Sequence, residues 1–130
     1  MRLFQWYGAQ VISRVDKNVQ DAIKKSIFWI QRDAKIACPV ITGRLKSSIS
    51  SNWSGSGLGR APIEAPVPES KPDDGVGEPK EERGVFIGVT GTNVEYGEGV
   101  EMGGSRKVPQ GYLRPAFDKH KDFRKYIRKI

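Results

Sequence analysis

Val85-Phe86-Ile87-Gly88-Val89-Thr90 sets Val85, Ile87 and Val89 on one side of an alternation and Phe86, Gly88 and Thr90 on the other. Apolar residues on both sides predict a strand covered on both faces, the centre of a small sheet. Gly91-Thr92-Asn93 supplies turn chemistry, and Val94-Glu95-Tyr96 is expected to begin a returning strand. Upstream, Ile49-Ser50-Ser51-Asn52-Trp53-Ser54 alternates more weakly, as a half-buried strand does.

Residues 8–37 carry a different period. Val11, Val15, Val19, Ala22, Ile23, Ile27, Ile30, Ala34 and Ala37 recur at spacings of three and four, and no Pro or Gly interrupts residues 9–37. This predicts one helix of about 45 Å, long enough to project beyond its own core. Pro39 ends it by pushing Cys38 toward extended geometry. Thr42 can then cap a helical turn through Ser47.

Residues 55–83 hold five prolines (62, 66, 68, 72 and 79) and glycines at 55, 57, 59 and 75, 77, with seven acids against four cations. So few large apolar residues predict a mobile, poorly packed arm between two strands. From Leu113 onward a second helix is expected, with Pro115 in its first turn and Phe117, Phe123, Ile127 and Ile130 on its apolar side. Residues 97–110 are glycine-rich and read as a loop, with room for one helical turn around Val100. The fold class is therefore α+β within a single domain, residues 1–130. A long N-terminal helix packs on a small, mostly antiparallel sheet, with a long mobile loop and a C-terminal helix.

The inventory of reactive groups is short. Cys38 is the lone cysteine and His120 the lone histidine. Nucleophilic catalysis needs a base beside a nucleophile, and nothing local joins these two. They read as a buried thiol and a solvated histidine, each replaceable by alanine without loss of assembly. Zinc needs about four clustered ligands, which one Cys and one His do not supply. The carboxylate pairs Asp73-Asp74 and Glu81-Glu82 lie in the arm, where nothing is expected to desolvate them. The glycines form no strand–turn–helix phosphate cradle. No catalytic, cofactor or metal residue is expected, and the chain reads as a non-enzyme. No apolar run is long enough to span a membrane, and residues 1–6 lack a secretory signal, so a soluble protein made in the cytoplasm is expected.

The formal net charge is +7. It is unevenly spread: residues 114–130 hold seven Lys or Arg against two acids, net +5, while residues 55–83 are net −3. Lys121, Arg124, Lys125 and Arg128 are the candidate contacts, either to an acidic subunit surface or to nucleic-acid phosphates.

Three stretches in order carry a resemblance. The first, 34–49, reads Ala-Lys-Ile-Ala-Cys-Pro-Val-Ile-Thr-Gly-Arg-Leu-Lys-Ser-Ser-Ile. The second is Gly91-Thr92-Asn93-Val94-Glu95-Tyr96 with Val100-Glu101-Met102-Gly103, and the third is Pro109-Gln110-Gly111-Tyr112-Leu113-Arg114-Pro115-Ala116-Phe117. Together they resemble the tailed-bacteriophage morphogenesis family of minor tail components, which occupy the neck, head–tail joining or tail-completion position. The resemblance covers residues 8–54 and 84–127. It implies a structural subunit in a ring around the DNA channel, six copies being favoured and twelve the alternative. Its partners would be copies of itself, neighbouring neck or connector and tail proteins, and the DNA in transit. Its place would be the head–tail junction of the virion, after assembly in the host cytoplasm. Pro39, Thr42, Gly43, Leu45, Ile49, Tyr96, Leu113 and Pro115 become fold-defining positions, with Tyr96, Val100 and Leu113 packing one end of the sheet. The alternative function is a nucleic-acid-binding module that uses the basic final helix.

Overall fold

The computed structural model describes residues 9–14, 17–39, 43–63, 66–80, 83–103 and 111–126. Its elements are β1 (Ala9–Arg14), α1 (Lys17–Ala37), α2 (Arg44–Ser48), β2 (Ser50–Trp53), β3 (Val85–Gly91), α3 (Gly97–Met102), α4 (Arg114–His120) and a 3-10 turn, Phe123–Tyr126. The class is α+β, with a long N-terminal helix on an antiparallel sheet.

The strand at 85–90 is central, as its two-faced apolar pattern requires. The sheet order is β1-β3-β2, and both pairings are antiparallel, with Ala9 opposite Thr90 and Ser50 opposite Gly91. One face of β3, at Phe86, Gly88 and Thr90, lies under α1. Gly88 allows the close approach: a Cβ there would fall 2.8 Å from Ile23 Cγ2 and 2.9 Å from Ile27 Cγ2. Thr90 and Ser51 both donate their hydroxyls to the Ile27 carbonyl, at 2.9 and 3.1 Å. The other face, Ile87 and Val89, packs with Ala61 and Val76.

The stripe of α1 that meets the sheet is Ala22, Ile23, Ile27, Ile30 and Ala34, all buried. Each isoleucine so buried stabilises the fold by about 1.5–3 kcal/mol. The helix stops at Ala37, ahead of Pro39.

Four expectations are corrected. Residues 9–14 form an edge strand, not the first turns of a helix. Val11 and Ile12 are β-branched, and the open edge of β3 offers them a ladder, which overrides a helical spacing carried by few residues. The helix is therefore 21 residues, about 32 Å, shorter than the roughly 45 Å expected. Val94-Glu95-Tyr96 starts no strand, because β1 and β2 already occupy both edges of β3. Instead the Thr92 hydroxyl accepts from Val94 N–H, Val94 C=O accepts from Gly97 N–H, and the chain winds into α3. The C-terminal helix ends at His120, and Phe123–Tyr126 is a separate 3-10 turn. Pro115 does lie in the first turn of α4; Ile127 and Ile130 lie outside the described residues.

The fourth correction concerns residues 55–83. Their expected lack of packing fails at Ala61, Asp74 and Val76, which are 4, 0 and 0% exposed. Two short stretches are bridged at Arg60 and Gly77, and Arg60 Nη1 donates to the carbonyls of Asp73 and Gly75. Val76 N–H donates to Ser50 Oγ, so this stretch also lies along β2. Two apolar side chains and backbone hydrogen bonds suffice to lay a proline- and glycine-rich segment over the second face of the sheet.

Candidate functional site

The motif around Gly43 builds a buried ionic clamp. Gly43 has φ of 86°, a left-handed conformation, and a Cβ there would meet Val67 Cγ1 at 3.3 Å. It leads into α2, whose start has no side-chain capping bond; Thr42 lies outside the described residues. The first residue of α2, Arg44, is 8% exposed. Its Nε and Nη2 donate to the two carboxylate oxygens of Asp74 at 3.0 and 2.9 Å, a bidentate pair. Its Nη1 and Nη2 also reach Glu95 at 3.2 and 3.3 Å, and its guanidinium lies 5.9 Å from the Tyr96 ring centre. Asp74 first, then Glu95, holds the guanidinium pKa above its ordinary value. Glu95 is held below the usual carboxylate value by its own backbone N–H and then by Arg44. The carboxylate at 74 is thus desolvated and paired, contrary to the solvated loop expected of Asp73-Asp74; Glu81-Glu82 lies outside the described residues. Tyr96, expected to pack one end of the sheet, is 39% exposed beside Arg44, whereas Tyr112 is buried at 0%.

A second device joins the other two motif stretches. Glu101 accepts from three successive backbone N–H groups, Tyr112, Leu113 and Arg114, at 2.6, 2.9 and 2.8 Å. Those groups open α4 and have no helical partners of their own. The Tyr112 hydroxyl donates to Gly97 C=O at 2.8 Å, and burial raises its pKa. A Cβ on Gly97 would meet Thr92, Tyr112 and Leu45 within 3.2 Å. Leu45, Ile49 and Leu113 are buried in this core.

His120 is not solvated. It is 6% exposed, its Nε2 meets Asp33 Oδ2 at 2.6 Å, and its Nδ1 meets the Tyr126 hydroxyl at 2.9 Å. The ring stacks on Trp29 with centres 5.9 Å apart, and Ser26 Oγ donates to the His120 carbonyl. Both ring nitrogens are occupied by groups other than Cys38. Cys38 itself is buried, and burial pushes its thiol up to about 11. A thiol so placed is not a nucleophile at neutral pH. Among the described residues no three His, Cys, Asp or Glu side chains gather as a metal site would need.

Lys121, Arg124 and Lys125 are exposed, as the basic tail suggests, but they are not bare. Lys121 lies 3.6 Å from Asp118, Arg124 pairs with Asp122 at 2.9 Å, and Lys125 donates to Lys119 C=O at 3.1 Å. Arg128 lies outside the described residues. Because α4 and the 3-10 turn pack on α1, these cations share a surface with Lys24, Lys25 and Arg32 of that helix. A cleft of about 260 Å³ lies between Asn18, Asp21, Lys24, Lys25 and Tyr126, and an open groove of about 290 Å³ between Lys25, Phe28, Trp29 and Arg32.

The α1 half of this surface, the Arg44–Asp74 clamp and the Asp33–His120 pair were not legible in the sequence. The available signals were weak: an Arg after the left-handed Gly43, and aromatic residues at 28 and 29 beside the apolar stripe. The chain matches no protein-family model, no curated protein and no solved structure. No described helix is long and apolar enough to cross a membrane.

Proposed function

We propose that this protein is a structural subunit of a tailed-phage head–tail connector, a neck or tail-completion ring through which DNA passes. The reading rests on the three-stretch resemblance. One observation supports it: the stretches meet in a single packed unit, where Leu45 faces Gly97, Gly97 C=O holds Tyr112, and Glu101 holds the start of α4. Residues used in this way specify a rigid shape for assembly. In this reading the subunit sits at the head–tail junction, six copies per ring, with twelve as the alternative, between neck and tail neighbours.

The test is light scattering and negative-stain imaging of the purified protein, alone and after mixing with phage tails lacking their completion protein. Rings in solution, or a new ring-shaped density at the tail end, are expected. A monomer that adds no density to the tails overturns the reading.

A further inference from the structure

We infer that the outer face of α1, together with α4 and the 3-10 turn, is a binding surface for the phosphodiester backbone of double-stranded DNA. The inference stands apart from the ring reading, since a monomer with this surface would bind equally.

The surface exists only in the folded chain, where residues 24–32 are brought beside residues 119–125. From α1 come Lys24, Lys25 and Arg32; from the C-terminal segment come Lys119, Lys121, Arg124 and Lys125. The acids on the same surface are Asp21, Asp33, Asp118 and Asp122, leaving net +3. Asp33 is committed to His120 and Lys119, and Asp118 and Asp122 answer Lys121 and Arg124. Lys24, Lys25 and Arg32 form no ion pair among the described residues, although Asp21 shares the cleft with the two lysines.

Three of the cations are laid on aromatic rings. Lys24 Nζ is 5.0 Å from the Trp53 ring centre, the Arg32 guanidinium 4.7 Å from Trp29, and Lys125 Nζ 5.2 Å from Tyr126. A ring holds a cation in place without neutralising it. The charge is thus ordered in advance and left for an outside anion. Trp29 has Arg32 and the His120 ring as neighbours, so the rings serve here as cation rests and not as platforms for unstacked bases. Recognition by backbone charge alone follows, independent of sequence. Lys24 and Arg32 are eight residues apart, about 12 Å along the helix axis. Phosphates rise by about 3.4 Å per step along one strand, so this row spans several of them.

The test measures binding of a fluorescently labelled DNA duplex to the full chain by polarisation, as a function of salt. Micromolar binding at low salt is expected, with log K falling linearly against log[salt]. Replacing Lys24, Lys25 and Arg32 by Glu should weaken binding by about tenfold or more and make the salt slope shallower by roughly three. The same three changed to Gln should give a smaller loss in the same direction, with far-UV circular dichroism unchanged; this set keeps the question open to an answer if the Glu set misfolds. As a control, Lys71, Lys80 and Arg83, exposed residues outside this surface, are reversed to Glu, with a loss of under about threefold expected. Three results overturn the inference: no binding at low salt, an equal loss in the control variant, or displacement of DNA by polyglutamate at equal charge. The last would assign the surface to an acidic polypeptide.

Discussion

His120 and Asp33, 87 residues apart in the chain, meet at 2.6 Å and fasten the end of α4 to the C-terminal part of α1. The bond is shielded by Trp29 and continued by Tyr126, so the lone histidine holds the C-terminal segment in place. Replacing it by alanine would remove the Tyr126 hydroxyl's partner and leave Asp33 with the more distant Lys119. His120→Ala should lower stability by about 1–3 kcal/mol, read as a shift in the urea midpoint, and should increase protease cleavage within residues 121–126. The sequence places this histidine in solvent; its burial against Asp33 is what gives the substitution a stability cost.

The same pair sets an acid dependence. The hydrogen bond from His120 lowers the Asp33 pKa below its ordinary 3.8 in the folded protein. A depressed folded pKa contributes stability that is fully present above the unfolded value and is lost as the pH falls through the folded one. Unfolding free energy should therefore fall below about pH 4. Asp33→Asn should be less stable at neutral pH and show a flatter acid limb. Glu95, lowered partly by Arg44, acts in the same direction.

The Arg44–Asp74 pair is a bidentate ion pair whose carboxylate is fully buried. Arg44→Ala leaves the buried Asp74 carboxylate without its cation, whereas Asp74→Ala leaves Arg44 with Glu95. Arg44→Ala should cost about 3–5 kcal/mol and Asp74→Ala less, measured by denaturant unfolding. The double substitution should cost less than the sum of the two singles.

Gly88 tests the contact between helix and sheet. Gly88→Ala places a methyl group 2.8–2.9 Å from two isoleucine side chains. α1 must lift or both isoleucines must leave their rotamers. The expected loss is about 1–3 kcal/mol, seen as a lower thermal midpoint.

Cys38 should be inert. Its thiol is buried and shifted up to about 11. A thiol reagent at pH 8 should leave it unmodified in the native protein and react with it in urea. Cys38→Ala should keep any assembly that the wild type shows.

Local pattern is enough for β2, β3, most of α1, the stop at Pro39 and the entry of α4 at Pro115. In each, the apolar period or a backbone restriction acts within a few residues of chain. It also makes plain how few reactive groups the chain carries and where its basic tail lies. Residues 9–14 were beyond it, because a strand whose only ladder partner lies some 75 positions away has no local signature. The same holds for Asp74, whose partner Arg44 is 30 residues distant, and for His120, whose partner Asp33 is 87 distant. Burial of a polar group is decided by what covers it, and that cover comes from remote chain. The cationic surface is likewise a product of folding, since its two halves become one only when α4 packs against α1.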